Sequence, residues 1–107
     1  MAEAMGKKPV RILLVDDEHE TLDLITEFLV EKGYELTRAA SGEQAVELVE
    51  KEAFHIAIVD LHLPGMTGSE LLNLIKEQRP HIQVIMITGY GTIRDAVECM
   101  KLGASDF

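Results

Sequence analysis

The 107-residue sequence predicts an α/β protein built on a doubly wound parallel sheet. Two observations support this fold class. Short apolar runs alternate along the chain with segments that repeat apolar residues at helical spacing, and this alternation is typical of right-handed βαβ units. The apolar runs also lack the polar alternation of half-exposed strands, as expected when helices cover both faces of a sheet.

Short apolar runs predict strands, and one mixed segment is a further strand candidate. An N-terminal tail, residues 1–9, comes before the first of them. In chain order the predicted strands span residues 10–15, 35–39, 56–60 and 84–88.

The first two helices are predicted from their periodicity and their end signals. Residues 20–31 repeat apolar side chains at every third or fourth position, and Gly33 follows as a stop signal. The second helix begins after Ser41, which is expected to be its N-cap because Gln44 follows three residues later.

The second half of the chain contains a loop and two more predicted helices. Residues 63–68 are rich in turn-forming residues and are predicted as a loop. A helix over 69–78 ends before Pro80, because the residue preceding a proline avoids helical backbone angles. A last helix carries apolar residues at helical spacing and is closed by Gly103.

Composition excludes several function classes. The net charge of -9 argues against direct nucleic-acid binding, because phosphate backbones require lysine and arginine. No apolar run approaches the roughly 20 residues of a membrane helix. The start of the chain does not resemble a signal peptide, and the single cysteine, Cys99, has no partner for an internal disulfide. A cytoplasmic location is therefore expected.

Three predicted strands end at polar residues, which are Asp16 with Asp17, Asp60, and Thr88. In a doubly wound sheet the carboxyl ends of parallel strands share one edge, where ligands bind. A cluster of three carboxylates at that edge either binds a cation or raises a pKa. Oxygen ligands with room for water suit Mg²⁺, and a carboxylate beside bound Mg²⁺ can attack phosphorus to form an aspartyl phosphate.

Plainer interpretations of the same residues remain open. Asp16 and Asp17 are also compatible with a helix N-cap pair, and Thr88 with a hydrogen-bonded hydroxyl in the core. The four histidines show no metal-ligand spacing.

Four motifs resemble the response-regulator receiver family of two-component signalling. In order they are Leu-Leu-Val-Asp-Asp at 13–17, Val-Asp-Leu-His-Leu-Pro-Gly-Met at 59–66, Ile-Thr-Gly-Tyr-Gly at 87–91 and Gly-Ala-Ser-Asp-Phe at 103–107. The resemblance runs from Val10 to Phe107. It implies a flavodoxin-like receiver fold with strand order 2-1-3-4.

The resemblance also implies a role for each residue of the acidic edge. Asp60 would be the phospho-acceptor, in a Mg²⁺-dependent transfer. Asp17 would bind Mg²⁺ directly, and Asp16 largely through water. The main-chain carbonyl of His62 would complete the protein ligands, and Thr88 would be the switch hydroxyl that turns toward the phosphoryl group.

Two further roles and the partners follow from the same resemblance. Phe107 would be the rotating switch aromatic, while the side chains of His62 and Tyr90 would tune the lifetime of the phosphoryl group. The donor would be a sensor histidine kinase, and the output domain would lie outside this chain. Residues 88–104 resemble receivers attached to sigma-54-type activators of the nitrogen-regulator group, which favours a role in transcription regulation.

The chain departs from the family at its C-terminal end. The resemblance places the start of the family's fifth strand at Phe107, so we expect a truncated receiver without that strand, its lysine and the fifth helix. The fourth strand would then be an apolar sheet edge, for which self-association is expected. An inert pseudo-receiver that only binds partners is the corresponding alternative function.

Two rivals of other classes share this architecture. A Mg²⁺-dependent phosphatase with an aspartate nucleophile would need a second aspartate two residues later, where this chain has His62. A flavin-binding module would need a phosphate loop rich in serine and threonine after the first strand, where this chain has Asp16-Asp17-Glu18.

Overall fold

The computed structural model describes residues 9–87. Strands and helices alternate along this part of the chain as predicted. In order they are β1 (Arg11–Val15), α1 (His19–Glu31), β2 (Glu35–Ala39), α2 (Gly42–Lys51), β3 (Ile56–Asp60), α3 (Gly68–Gln78) and β4 (Gln83–Ile87). The last predicted helix, which Gly103 would close, lies outside the described residues.

All four strands are parallel, and their order in the sheet is β2-β1-β3-β4. The order reverses between β1 and β3, because the chain first moves outward from β1 to β2 and then crosses to β3. The fold is therefore the predicted doubly wound parallel sheet. In such sheets the crevice at the carboxyl ends of the two central strands is the place where ligands bind.

Helices α2 and α3 cover one face of the sheet and bury the main core there. The apolar core residues come from all four strands, from these two helices and from the connecting loops, and all of them are at most 7% exposed. The largest include Leu13, Phe54, Leu71, Leu72 and Ile75.

Helix α1 lies on the opposite face, against β2. Ile58, Ile85 and Ile87 on β3 and β4 are only half-buried there and line an apolar groove of about 340 Å³ with residues of α1. Phe28, which has the apolar spacing of α1, is 58% exposed beside this groove. The helical spacing of Phe28 and its apolar neighbours predicted α1 correctly, but the burial of Phe28 depends on what covers β3 and β4.

The helix ends show why the chain changes direction where it does. Ser41 Oγ accepts from the Gln44 N–H at 3.2 Å, which confirms Ser41 as the N-cap of α2. Gly33 takes a positive φ of 93° after α1, and the Gly33 and Tyr34 N–H groups donate back to carbonyls of the last helical turn. Within residues 9–87, no helix has both the length and the apolar character needed to cross a membrane.

Candidate functional site

The carboxyl ends of β1 and β3 bring three aspartates together. Val15 pairs with Val59 in the sheet, so that Asp16 and Asp17 leave β1 beside Asp60 at the end of β3. One carboxylate oxygen from each residue lies within 4.8 Å of the other two. Within residues 9–87 this is the one group of three acidic, histidine or cysteine side chains close enough to share a metal ion. The predicted acidic cluster is therefore present.

Asp16 is the buried member of the cluster, with 3% of its surface exposed. Its N–H donates to the Ala39 carbonyl at 3.1 Å, so the backbone is held by β2 beyond the end of the strand. Its Oδ1 accepts from the Glu18 N–H at 3.0 Å, which turns the chain toward α1. The N-cap of α1 is Glu18 rather than either aspartate, so the interpretation of Asp16 and Asp17 as an N-cap pair is wrong.

Asp60 is half-buried, and its carboxylate is oriented by its own loop. The His62 N–H donates to Asp60 Oδ1 at 3.1 Å. Burial raises the pKa of Asp60 above its ordinary value, and the negative charges of Asp16 and Asp17 raise that pKa further. The hydrogen bond from His62 acts in the opposite direction but does not cancel the increase.

The donor set fits a hard divalent cation. All three side chains offer oxygen, and Mg²⁺ prefers oxygen ligands while keeping several of its own waters. Asp17 is exposed, which leaves solvent access for those waters. Burial and the neighbouring charges of Asp16 and Asp17 both disfavour the negative charge on Asp60 and raise its pKa, and a bound cation would favour the charged form.

Of the other predicted site residues, the structure describes His62 only. His62 lies at the cluster through its N–H, while the predicted metal contact of its carbonyl stays a prediction. Thr88, Tyr90 and Phe107 lie outside the described residues. Ile87, which precedes Thr88 in the sequence, is the last described residue of β4 and pairs with Asp60 in the sheet.

Sequence reasoning missed the part that Gly68 takes at this site. We predicted Gly68 to lie in the loop, but Thr67 is the N-cap of α3 and Gly68 is the first helical residue. Its N–H donates to the Leu61 carbonyl at 3.0 Å, so the loop that follows Asp60 closes on itself. The only signal in the sequence was a glycine directly after a capping threonine, and it does not reveal that the start of α3 contacts the residue after β3.

The family model of the response regulator receiver domain matches residues 12–107. The response regulator protein FleR of Pseudomonas aeruginosa is 37% identical over 97 residues, and the match covers 91% of this chain and 20% of FleR. The crystal structure of a CheY-like receiver domain protein from Methanospirillum hungatei superposes with a TM-score of 0.89 at 36% identity, covering 92% of this chain and 79% of that one.

A further solved relative is a response regulator protein from Burkholderia pseudomallei, crystallised with a phosphorylated aspartic acid, calcium ion and citrate. It superposes with a TM-score of 0.86 at 29% identity, covering 91% of this chain and 57% of that one.

The fold and the site define a parallel α/β protein of the flavodoxin-like class with an acidic cluster at the strand-order reversal. The chain belongs to the response regulator receiver domain family, which serves phosphorylation-based signalling. It spans about a fifth of FleR, the first of these relatives.

Proposed function

We propose that this chain accepts a phosphoryl group on Asp60 in a Mg²⁺-dependent transfer from a sensor histidine kinase. The observation that carries this proposal is the convergence of Asp16, Asp17 and Asp60 within 4.8 Å at the reversal of strand order. The family match supports it, as does the similarity to a response regulator crystallised with a phosphorylated aspartic acid and a calcium ion.

Asp16, Asp17 and Asp60 are the side chains that would hold Mg²⁺, together with the His62 carbonyl. When bound, Mg²⁺ neutralises negative charge on the transferring phosphoryl group and its acceptor. Asp17 is exposed and suits direct contact with the metal, whereas the buried Asp16 is already engaged by the Glu18 N–H and suits contact through water.

Asp60 is the nucleophile in this proposal. The His62 N–H holds Oδ1 and thereby limits rotation of the carboxylate. One carboxylate oxygen forms the bond to phosphorus while the bond between phosphorus and the donor nitrogen breaks, and the donor imidazole leaves with the bonding electron pair. The product is an aspartyl phosphate. The chain's part in its own phosphorylation is thus that of an acceptor, which turns over no separate substrate.

The remaining roles come from the family resemblance. Thr88 would act as the switch hydroxyl and Phe107 as the switch aromatic, with His62 and Tyr90 tuning the lifetime of the phosphoryl group. We propose residues 10–107 as receiver and residues 1–9 as a tail, and the family match over 12–107 supports this division. The output domain would lie outside this chain, in the cytoplasm, with the sigma-54-type activators as the favoured class.

The rival functions fit the described site less well. A flavin-binding module would need a phosphate loop rich in serine and threonine after β1, where Asp16 and Asp17 join the acidic cluster instead. A phosphatase of the aspartate type would need a second carboxylate at position 62, where His62 lies with its N–H on Asp60. The inert pseudo-receiver keeps the same geometry and differs only in reactivity, so an experiment separates it from the acceptor.

The test is a phosphorylation assay with a small phosphodonor such as phosphoramidate, followed by intact mass. The wild-type chain is expected to gain one phosphoryl group when Mg²⁺ is present and none when Mg²⁺ is removed by chelation. The Asp17→Asn variant is expected to react more slowly, because it loses the exposed metal ligand. A wild-type chain that gains no mass would favour the pseudo-receiver.

A further inference from the structure

The loop that follows Asp60 ends in contact with the backbone of its own first residue, Leu61. The Gly68 N–H donates to the Leu61 carbonyl at 3.0 Å, which joins the two ends of the segment from Leu61 to Gly68. Leu61 and Leu63 are buried in the core, and the loop is therefore anchored as well as closed. The first turn of α3 consequently lies directly against the end of β3.

Gly68 makes this approach possible because it has no side chain. A Cβ atom built on Gly68 would overlap the carbonyl oxygen of Asp60 and would lie 2.7 Å from Leu61 Cα and 3.0 Å from the Leu61 carbonyl oxygen. All three atoms belong to the backbone, so no side-chain rotation relieves the overlap. A side chain at this position forces α3 and the Asp60–Leu61 backbone apart.

We propose that Gly68 is a positioning residue for the phospho-acceptor. Its close approach sets the backbone of Asp60 and Leu61, and the His62 N–H that orients the Asp60 carboxylate comes directly after them. The inference rests on the proposed function and deepens it. Because Asp16 and Asp17 are carried by the end of β1, a displacement at Gly68 moves Asp60 relative to its two neighbours and leaves those two in place.

Gly42 provides a matched control. It is the first residue of α2 and follows the N-cap Ser41, as Gly68 follows the N-cap Thr67. The three atoms nearest to a Cβ atom built on Gly42 all belong to the Met66 side chain, with Cβ and Sδ at 2.9 Å and Cγ at 3.2 Å. Met66 Sδ and Cγ are able to move aside by side-chain rotation, whereas contact with Met66 Cβ requires a small shift of the loop at Met66, six residues after Asp60. The two substitutions therefore add the same methyl group at the same helical position, but only one of them presses on the acceptor's backbone.

The experiment compares the wild-type chain with Gly68→Ala and Gly42→Ala. Initial phosphorylation rates with phosphoramidate are measured at saturating Mg²⁺ and divided by the folded fraction from circular dichroism. We expect Gly68→Ala to react at least about 10-fold more slowly per folded molecule, because a displacement on the order of 1 Å is able to cost about 100-fold in rate. The rate of Gly42→Ala should stay within about twofold of wild type, because its added methyl group meets Met66 and does not displace the Asp60 backbone.

Mg²⁺ affinity, measured by calorimetry, distinguishes positioning from general damage. Gly68→Ala should lose less in affinity than in rate, because Asp16 and Asp17 retain their places, whereas general loss of structure lowers both alike. If Gly68→Ala is unfolded in buffer, all three proteins are compared in an osmolyte that strengthens folding.

Three outcomes would overturn the inference while leaving the proposed function intact. They are a wild-type rate per folded molecule in Gly68→Ala, an equal loss in Gly42→Ala, and a Gly68→Ala chain that stays unfolded where the control folds. The last would show that the close approach serves the whole fold rather than the acceptor. Absence of phosphorylation in the wild-type chain would overturn the proposed function itself, and this inference with it.

Discussion

Replacing Asp60 by asparagine should make the metal-free protein more stable at neutral pH. Asparagine keeps the size and shape of the side chain but removes one of three converging negative charges. Residues selected for a charged site often weaken the fold, because strain and repulsion are retained where function requires them. The increase in stability therefore contains the cost of burying the Asp60 charge and the repulsion from Asp16 and Asp17 that a cation would relieve.

The part of the stability change that comes from charge repulsion follows from the separation of the carboxylates. Two unit charges 4.8 Å apart repel by about 3.5 kcal/mol at an effective dielectric of 20 and by about 0.9 kcal/mol in bulk water. The first value suits the pair of Asp60 with buried Asp16, and the second suits its pair with exposed Asp17. Exchange of the charged His62–Asp60 hydrogen bond for a neutral one offsets about 1 kcal/mol. With screening by salt, loss of this repulsion should raise the free energy of unfolding by about 2 kcal/mol, and removal of the buried charge acts in the same direction.

The difference between the two proteins should depend on pH in one direction. The folded-state pKa of Asp60 lies above its ordinary value of 3.8, so the wild-type fold loses stability as pH rises through that raised pKa. The amide that replaces this carboxyl group in Asp60→Asn does not titrate. The advantage of Asp60→Asn should consequently be complete at neutral pH and should shrink as pH falls through the raised pKa toward 3.8.

Urea unfolding followed by circular dichroism measures this effect, once with a chelator and once with millimolar Mg²⁺. Glu47→Gln is the control, because Glu47 is exposed on α2 and its loss changes the net charge equally without touching the cluster. Mg²⁺ should stabilise the wild-type chain more than Asp60→Asn. If Asp60→Asn is no more stable than Glu47→Gln in the chelator, charge repulsion at this site is refuted.

Three further substitutions test other parts of the structure. Asp17→Asn should lower the Mg²⁺ affinity measured by calorimetry by about 10-fold or more, which corresponds to roughly 1.4 kcal/mol of binding free energy or more. An unchanged affinity would show that Asp17 is not a metal ligand. Leu72→Ala should lower the free energy of unfolding by about 2–5 kcal/mol, because Leu72 is fully buried, whereas the exposed Leu24→Ala should change it little. Gly33→Ala should cost about 1 kcal/mol because φ is 93° at this position, and a stabilising effect in the same urea titration would contradict the positive φ.

Much of the fold was predictable because parallel α/β proteins have strong local patterns. The predicted strands and the observed ones agree to within one residue at each end, since continuous apolar runs such as 84–88 and 56–60 end at polar residues. Ser41 was identified as an N-cap because the signal is local and lies within four residues. The strand order came from the family resemblance, because strand pairing is not encoded in any short segment.

The site was predictable where it depends on strand ends and missed where it depends on how the loop after β3 folds back. Asp16 and Asp17 follow β1 directly and Asp60 ends β3, so the parallel sheet brings them together. The overlap of a Gly68 side chain with the Asp60–Leu61 backbone depends on how α3 returns after the loop. Phe28 illustrates the same limit, since helical spacing indicates an apolar face but not whether another element covers it.

The identity of the modified residue tests the central claim most directly. The wild-type chain is incubated with Mg²⁺ and phosphoramidate, and the acyl phosphate is reduced with borohydride, which converts a phosphorylated aspartate to homoserine. Peptide mass spectrometry then locates the altered residue. We predict homoserine at position 60 alone, and none in a Mg²⁺-free sample. Homoserine at position 16 or 17, or an unaltered chain after full exposure to the donor, would contradict the assignment of Asp60 as the phospho-acceptor.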